Sequence, residues 1–321
     1  MASKAKTKPS ARRPASKKRP ATKRPAANKR ATTKRPAGLE ATITADVLAR
    51  IANTKDKRLK QVMTALITHL HGFVREIEPS EAEWMQAIQF LTTVGKKCDD
   101  MRQEFILLSD TLGATMLIDA INHRKPKGAT ESSVLGPFYR EDAPEIAQGQ
   151  TINLTPDGEP CLVRGHVRTP NGAPIKGAVL DIWQTAANGM YEGQDKDQPA
   201  FNLRGKLKTD ERGRYEFRTV VPVCYPIPDD GPVGQLLKAT GRHPYRPAHI
   251  HFIVSAKGYQ PIVTQVFADT DAYIKSDAVF GVKDSLVVHF DKHGSKADAA
   301  RLGLNAPFYT LDYDFGLAPA R

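Results

Sequence analysis

The hydrophobic pattern changes period once along the chain, and that change limits the fold more than any other feature. From about Thr42 to Asn122 apolar residues recur at three- and four-residue steps. The clearest case is Leu59, Val62, Met63, Leu66, Ile67, Leu70, Phe73, Val74 and Ile77, the spacing of one helix face. Ser80 followed by Glu83 forms a capping box that starts another helix, with Trp84, Ala87, Ile88 and Leu91 on its apolar face. Phe105 to Ile121 reads as a third. After Pro137 the runs shorten to Cys161–Arg168, Ala178–Gln184, Arg214–Val220, His249–Ser255, Ile262–Ala268 and Ser285–Phe290. Turn residues separate them, as in Pro170-Asn171-Gly172, Asp210-Glu211-Arg212-Gly213 and Lys257-Gly258. That rhythm predicts an antiparallel β-sandwich, and a block of helices followed by a block of strands predicts an α+β chain. The expected division is a helical domain over 38–135 and a β-sandwich over 136–321.

Residues 1–37 belong to neither. They carry 14 Lys and Arg and no acid, and repeat Arg-Pro-Ala at Arg13, Arg19, Arg24 and Arg35. Such a segment cannot bury enough apolar surface to offset the entropy of ordering, so it reads as a disordered basic tail. It could bind nucleic acid through phosphate contacts or act only as a solvated extension. Subtracting those 14 charges from the net +12 leaves −2 for residues 38–321, which gives the body no global attraction to phosphate. Cys98, Cys161 and Cys224 are odd in number and widely spaced, which suits neither a disulfide framework nor a zinc knuckle and points to a reducing compartment. With no run of about 18 apolar residues to span a bilayer and no secretory signal, the expectation is a cytoplasmic protein.

Two His-x-His pairs compete as metal ligands. His69 and His71 lie in the helical pattern, where residues two apart point about 200° from one another and cannot share an ion. His249 and His251 lie in an apolar β-type run, where residues two apart project from one face and can converge; the same spacing also suits two ordinary strand histidines. No acid stands near this second pair with ligand spacing, as an iron(II) oxygenase of the two-His-one-carboxylate type or a zinc hydrolase would need. Tyr191, after the apolar run ending Trp183-Gln184, and Tyr225, opening Tyr225-Pro226-Ile227-Pro228, are candidates of another kind. A phenol has a pKa near 10, but a trivalent ion can deprotonate it. Both also suit interfacial packing.

Asp181-Ile182-Trp183-Gln184, Gly189-Met190-Tyr191, Tyr225-Pro226-Ile227-Pro228 and Gly241-Arg242-His243-Pro244-Tyr245-Arg246-Pro247-Ala248-His249-Ile250-His251 together resemble the intradiol ring-cleavage dioxygenases. The likeness runs from about Ile43 to Phe290, through Cys98-Asp99-Asp100-Met101-Arg102-Gln103-Glu104-Phe105 and on to Asp110, and leaves out the tail. It implies a ferric ion, Fe(3+), held by Tyr191, Tyr225, His249 and His251. It also implies a catecholic substrate and dioxygen, with ring opening between the hydroxylated carbons. Tyr225 would leave the ion and act as base. Arg246 would stabilise charge developing on the ring, with Gln265 as a second polar pocket residue. A homodimer through the helical domain is implied as well, and the Leu59–Ile77 face could hold a lipid.

Within the family the likeness is greatest to hydroxyquinol 1,2-dioxygenases, which convert benzene-1,2,4-triol to maleylacetate; the alternative is a catechol or chlorocatechol 1,2-dioxygenase. The implied substrate pocket is Leu107, Asp110, Val134, Leu135, Gly136, Pro137, Phe138, Ile227, Pro228 and Arg246. Asp110 discriminates, because an acid beside the ring can accept from a third hydroxyl. Leu135 and Tyr245 stand where relatives often carry larger aromatics.

Overall fold

The computed structural model describes residues 38–99 and 102–320, so the basic tail lies outside the described residues. They divide into two compact units, one ending at Ser80 and the other beginning at Glu81.

The first unit is a helix pair, α1 (Leu39–Arg50) and α2 (Lys57–Ile77). Asp56 caps α2, its Oδ1 accepting from Leu59 N at 2.9 Å and so satisfying a backbone donor that the first turn leaves free. Arg75 of α2 donates to Glu40 O at 3.1 and 3.2 Å, and His71 Nδ1 lies 3.0 Å from Thr44 Oγ1. His71 therefore ties two helices together, while His69 is exposed. Leu59, Val62, Leu66, Leu70, Phe73, Val74 and Ile77 all remain exposed within this unit.

The second unit opens with α3 (Glu81–Lys96), α4 (Glu104–Thr111) and α5 (Ala114–Asn122). Sequence periodicity groups these with α1 and α2, whereas the compact unit joins them to the strands. The single helix expected over Phe105–Ile121 is two, because Gly113 takes φ +75° ahead of α5. An L side chain adopts that conformation at a cost that glycine avoids. The strands follow: β1 (Pro160–Arg168), β2 (Val179–Trp183), β3 (Arg204–Lys208), β4 (Arg214–Val220) and β5 (Tyr225–Pro226). After α6 (Pro232–Ala239) come β6 (Tyr245–Arg246), β7 (His249–Ser255), β8 (Ile262–Ala268), β9 (Val287–Val288) and β10 (Asp291–His293). Then α7 (Lys296–Arg301) precedes β11 (Phe308–Asp312) and β12 (Phe315–Gly316).

One sheet runs β10-β11-β1-β12 with β4 also on β1; the other runs β3-β2-β7-β8-β9; β5 and β6 form a separate two-stranded ladder. The sandwich is mixed where the turn pattern predicts antiparallel pairing throughout. β1 pairs parallel with β11 and β12, and β8 pairs parallel with β9, so the C-terminal residues return beside the first strand. Most of the expected run Ser285–Phe290 is a 3-10 turn, Asp284–Leu286, followed by the two-residue β9. Among the described residues no helix is long and apolar enough to cross a membrane.

The pleat divides β2, β7 and β8 between two environments. Leu180 and Ile182 of β2, Ile250, Phe252 and Val254 of β7, and Ile262, Val266 and Ala268 of β8 enter the core between the sheets, against Val163, Phe217, Leu311 and Phe315. The alternate residues Trp183, His249, His251, Gln265 and Phe267 are buried too, but successive strand residues point to opposite faces, so they occupy the outer face. Phe252 fastens the layers: its ring lies 4.9 Å from Phe315 and 6.3 Å from Phe217. Phe252→Ala should therefore destabilise the protein by about 3–5 kcal/mol, measured by urea unfolding. A loss below about 1 kcal/mol, the scale of a volume-conserving swap, would contradict that role.

Candidate metal centre

Strand register assembles the outer-face residues. Trp183 pairs with His251 across β2 and β7, and His251 with Gln265 across β7 and β8. The Trp183 ring stacks on the His251 imidazole at 4.6 Å and 13°. Tyr225 sits opposite Arg246 in the β5–β6 ladder, which brings a phenol and a guanidinium to the same edge. Tyr191 arrives from the loop after β2, folded back by Ala186 N to Met190 O and Gly189 N to Ala186 O, each 2.9 Å. Phe138 stacks on its ring at 4.5 Å.

The four side chains meet. His249 Nε2 lies 3.0 Å from His251 Nε2, which lies 3.1 Å from the Tyr191 hydroxyl, itself 3.3 Å from the Tyr225 hydroxyl. All four residues are at most 4% exposed. His249 Nδ1 faces Pro247 O at 2.6 Å. A carbonyl only accepts, so Nδ1 carries the hydrogen and Nε2 keeps its lone pair for the centre. Burial, reinforced by Arg246, pushes the His249 pKa down to about 3, and burial with the neighbouring His249 and Arg246 pushes His251 down as well. Burial pushes the Tyr191 phenol up. Neutral imidazoles and a Tyr191 phenol whose proton only a strong cation would displace suit a hard, highly charged ion. Among the described residues no group of three or more His, Cys, Asp or Glu forms a competing metal position.

Arg246, 2% exposed, borders the site. Its Nη1 lies 3.2 Å from His249 Nε2 and its Nη2 donates to Gln265 Oε1 at 2.7 Å. Gln265 Nε2 donates to Val134 O at 2.6 Å and lies 3.1 Å from His251 Nδ1. These obligate partners fix which way the amide points. Asp277, which no sequence pattern singles out, forms a two-point pair with Arg246: Nε to Oδ1 and Nη2 to Oδ2, both 3.1 Å. Burial acts to lower the Arg246 pKa, but the charge and hydrogen bonding of Asp277 together with Tyr225 and Tyr191 outweigh it, so the group is raised and stays cationic.

The other expected pocket residues lie in differing surroundings. Leu107, Val134 and Ile227 share one buried apolar cluster. Gly136, at φ +78°, lies so close that a Cβ there would meet His251 Cε1 at 3.2 Å, a contact tight enough to press on the imidazole. Leu135 and Pro137 are exposed and Pro228 is half-buried. Asp110 is buried, and its Oδ1 has no hydrogen-bond partner among the described residues. Burial raises its pKa, opposed by Thr115 and by the charge of Arg246.

A buried pair supports the loop that carries Tyr191. Arg204 Nε contacts Glu192 Oε2 at 2.8 Å, with both side chains 3% exposed, and the guanidinium lies 5.8 Å from the Tyr191 ring centre.

Comparison with known proteins gives a consistent result. Residues 56–130 match the catechol dioxygenase N terminus, and residues 134–319 match the dioxygenase family. The chain is 54% identical to a hydroxyquinol 1,2-dioxygenase of Rhizobium sp., over 85% of this chain and 93% of that one. It is 50% identical to a 6-chlorohydroxyquinol 1,2-dioxygenase of Cupriavidus pinatubonensis, over 86% and 96%. The solved structure of hydroxyquinol 1,2-dioxygenase from Pseudomonas putida superposes with a TM-score of 0.83 at 49% identity, covering 88% of this chain and 99% of that one. Removing one member of a buried ion pair leaves the other uncompensated, so Glu192→Gln should cost about 3–5 kcal/mol in a urea titration. Adding Arg204→Met to that variant should recover part of the loss, and a double variant no more stable than Glu192→Gln would contradict the pairing.

Proposed function

The chain belongs to the intradiol ring-cleavage dioxygenases, and from that membership we propose that it opens benzene-1,2,4-triol with dioxygen to maleylacetate at a ferric centre. Tyr191, Tyr225, His249 and His251 would hold the ion. The observation that carries this reading is the convergence of two phenols and two imidazoles, without carboxylate or thiol, in one buried cluster. When bound there, iron(III) supplies a Lewis acid that draws electron density from a chelated ring and makes the ring itself reactive toward dioxygen. Both oxygen atoms enter the product, and the bond between the two hydroxylated carbons is the one that breaks.

The protein's own groups have separate tasks in this account. Tyr225, one of the residues that would hold the ion, would accept a proton from a substrate hydroxyl. Its short ladder beside Arg246 keeps the phenol close to the cluster. Arg246 turns Nη1 toward the reacting oxygens and stabilises negative charge as it develops on the ring, where a fixed donor in a dry site is worth more than one in water. Gln265 braces both Arg246 and His251. Gly136 and Phe138, against His251 and Tyr191, cover the cluster and exclude water.

Asp110 supports the choice of substrate. Its Oδ1, without a hydrogen-bond partner among the described residues and within electrostatic reach of Arg246, would gain a hydrogen bond from the third hydroxyl and lose it with catechol. An unmet buried acceptor costs about 1–3 kcal/mol, which corresponds to roughly 5- to 150-fold in specificity. Benzene-1,2,4-triol should therefore show a higher kcat/KM than catechol by a factor in that range, and Asp110→Ala should remove most of the preference while catechol turnover changes little. Equal specificity constants in the unmodified enzyme would move the reading to a catechol 1,2-dioxygenase.

The exposed apolar stripe of α2 supports a homodimer through the helical unit, since patches of this kind mark protein contacts. Replacing Leu70 and Phe73 together with Asp should give a monomer by sedimentation. An unchanged sedimentation coefficient would place the dimer contact elsewhere.

A further inference from the structure

Arg246 has five N–H groups, and their partners are unevenly divided. Nε and Nη2 are held by Asp277, and Nη2 also by Gln265, while Nη1 is left to the side of His249. The end of the guanidinium that neither Asp277 nor Gln265 holds is thus the one beside His249 at the candidate metal centre. Asp277 is itself held: Oδ1 accepts from Val279 N at 3.3 Å and Oδ2 from Gly281 N at 2.9 Å. Three further bonds pin its segment from different sides. Ser133 Oγ donates to Gly281 O at 2.7 Å, Arg242 Nη2 to Ala278 O at 2.9 Å, and Ala278 N to Tyr245 O at 3.1 Å.

Gly281 completes this cradle. A Cβ there would stand 2.7 Å from Arg246 Nη2, closer than Cβ atoms come to a neighbour, and 3.1 Å from Asp277 Oδ2, tighter than most such contacts. The segment Asp277–Gly281 therefore encloses one edge of the guanidinium so tightly that a side chain at 281 would push the guanidinium aside.

We propose that Asp277 is a positioning residue for the ring-opening reaction: with the Gly281 backbone it fixes the plane of Arg246, so that Nη1 is delivered to the reacting oxygens. This rests on the role given to Arg246 above. Stability alone gives no need for the arrangement, because a buried ion pair contributes about as much as a well-packed apolar pair of similar volume. Direction is what a two-point carboxylate adds, since parallel N–H···O bonds specify orientation as well as attraction. Misplacing a reacting group by about 1 Å can cost on the order of a hundredfold in rate.

The test uses the full chain loaded with iron and four variants: Asp277→Asn, Gly281→Ala, Arg246→Gln, and Asp277→Asn combined with Arg246→Gln. Asn keeps the shape and removes the charge, turning one of the parallel bonds into a donor–donor contact. Gly281→Ala keeps both charges and displaces the guanidinium instead, so it answers the question even if Asp277→Asn fails to fold. Iron content, and affinity for 4-nitrocatechol measured without oxygen, serve as readouts independent of turnover. The expected result is unchanged iron and 4-nitrocatechol affinity with kcat lower by roughly 10- to 100-fold in Asp277→Asn and Gly281→Ala. On the Arg246→Gln background, Asp277→Asn should add less than about twofold, because the two act as a unit. If Arg246→Gln lowers kcat but Asp277→Asn or Gly281→Ala leaves it within about twofold, or if Asp277→Asn costs the same factor on both backgrounds, the positioning role is overturned. If Arg246→Gln itself keeps full kcat, the Arg246 assignment falls, and the positioning role with it.

Discussion

The two-residue repeat of β7 is the constraint on which the rest of the second unit depends. Ile250, Phe252 and Val254 must enter the core, where they are at most 1% exposed, and that requirement turns His249 and His251 to the other face. A register slip of one residue would put both imidazoles between the sheets and leave three large apolar side chains on the outer face. Hydrophobic burial therefore fixes the direction of the histidines without any contact of their own. The neighbouring strands carry the same logic sideways, so that Trp183, His251 and Gln265 lie in one row across β2, β7 and β8.

That outer face is buried without being apolar, and its electrostatics follow from this. Desolvation keeps the imidazoles neutral and the Tyr191 phenol protonated. The cluster thus offers lone pairs and displaceable protons but no fixed negative charge, while Arg246 and Asp277 together add none. A trivalent ion entering such a site would gain charge compensation by driving protons off the phenols. Two neighbouring carboxylates would favour divalent ions instead. The absence of acids from the cluster is as informative as the presence of tyrosines.

Much of this could be read from the residues. The His249–His251 run displays period two inside an apolar strand, and the helical spacing of Leu59 to Ile77 sets His69 and His71 aside. The two tyrosines are different: each is a single residue at a loop or a two-residue strand, with no periodicity to declare it; their phenols could serve a trivalent ion, but it is the family likeness that singles them out as ligands. Ladders as short as β5–β6 carry no pattern, so the pairing of Tyr225 with Arg246 could not be foreseen. Asp277 lies 31 positions from Arg246, in a loop whose sequence resembles any other polar turn. Nor does local sequence reveal that β11 and β12 return parallel to β1, since that pairing is decided by the edges left free once the sandwich closes.

The central claim, a ferric ion held by tyrosinate, is tested most directly by the visible absorption spectrum of the purified protein alongside its iron content. Phenolate-to-iron(III) charge transfer absorbs in the visible, so the protein should be burgundy with about one iron per chain, and Tyr191→Phe should weaken or abolish the band together with iron retention. A colourless, iron-free protein that opens the ring at full rate would contradict the account.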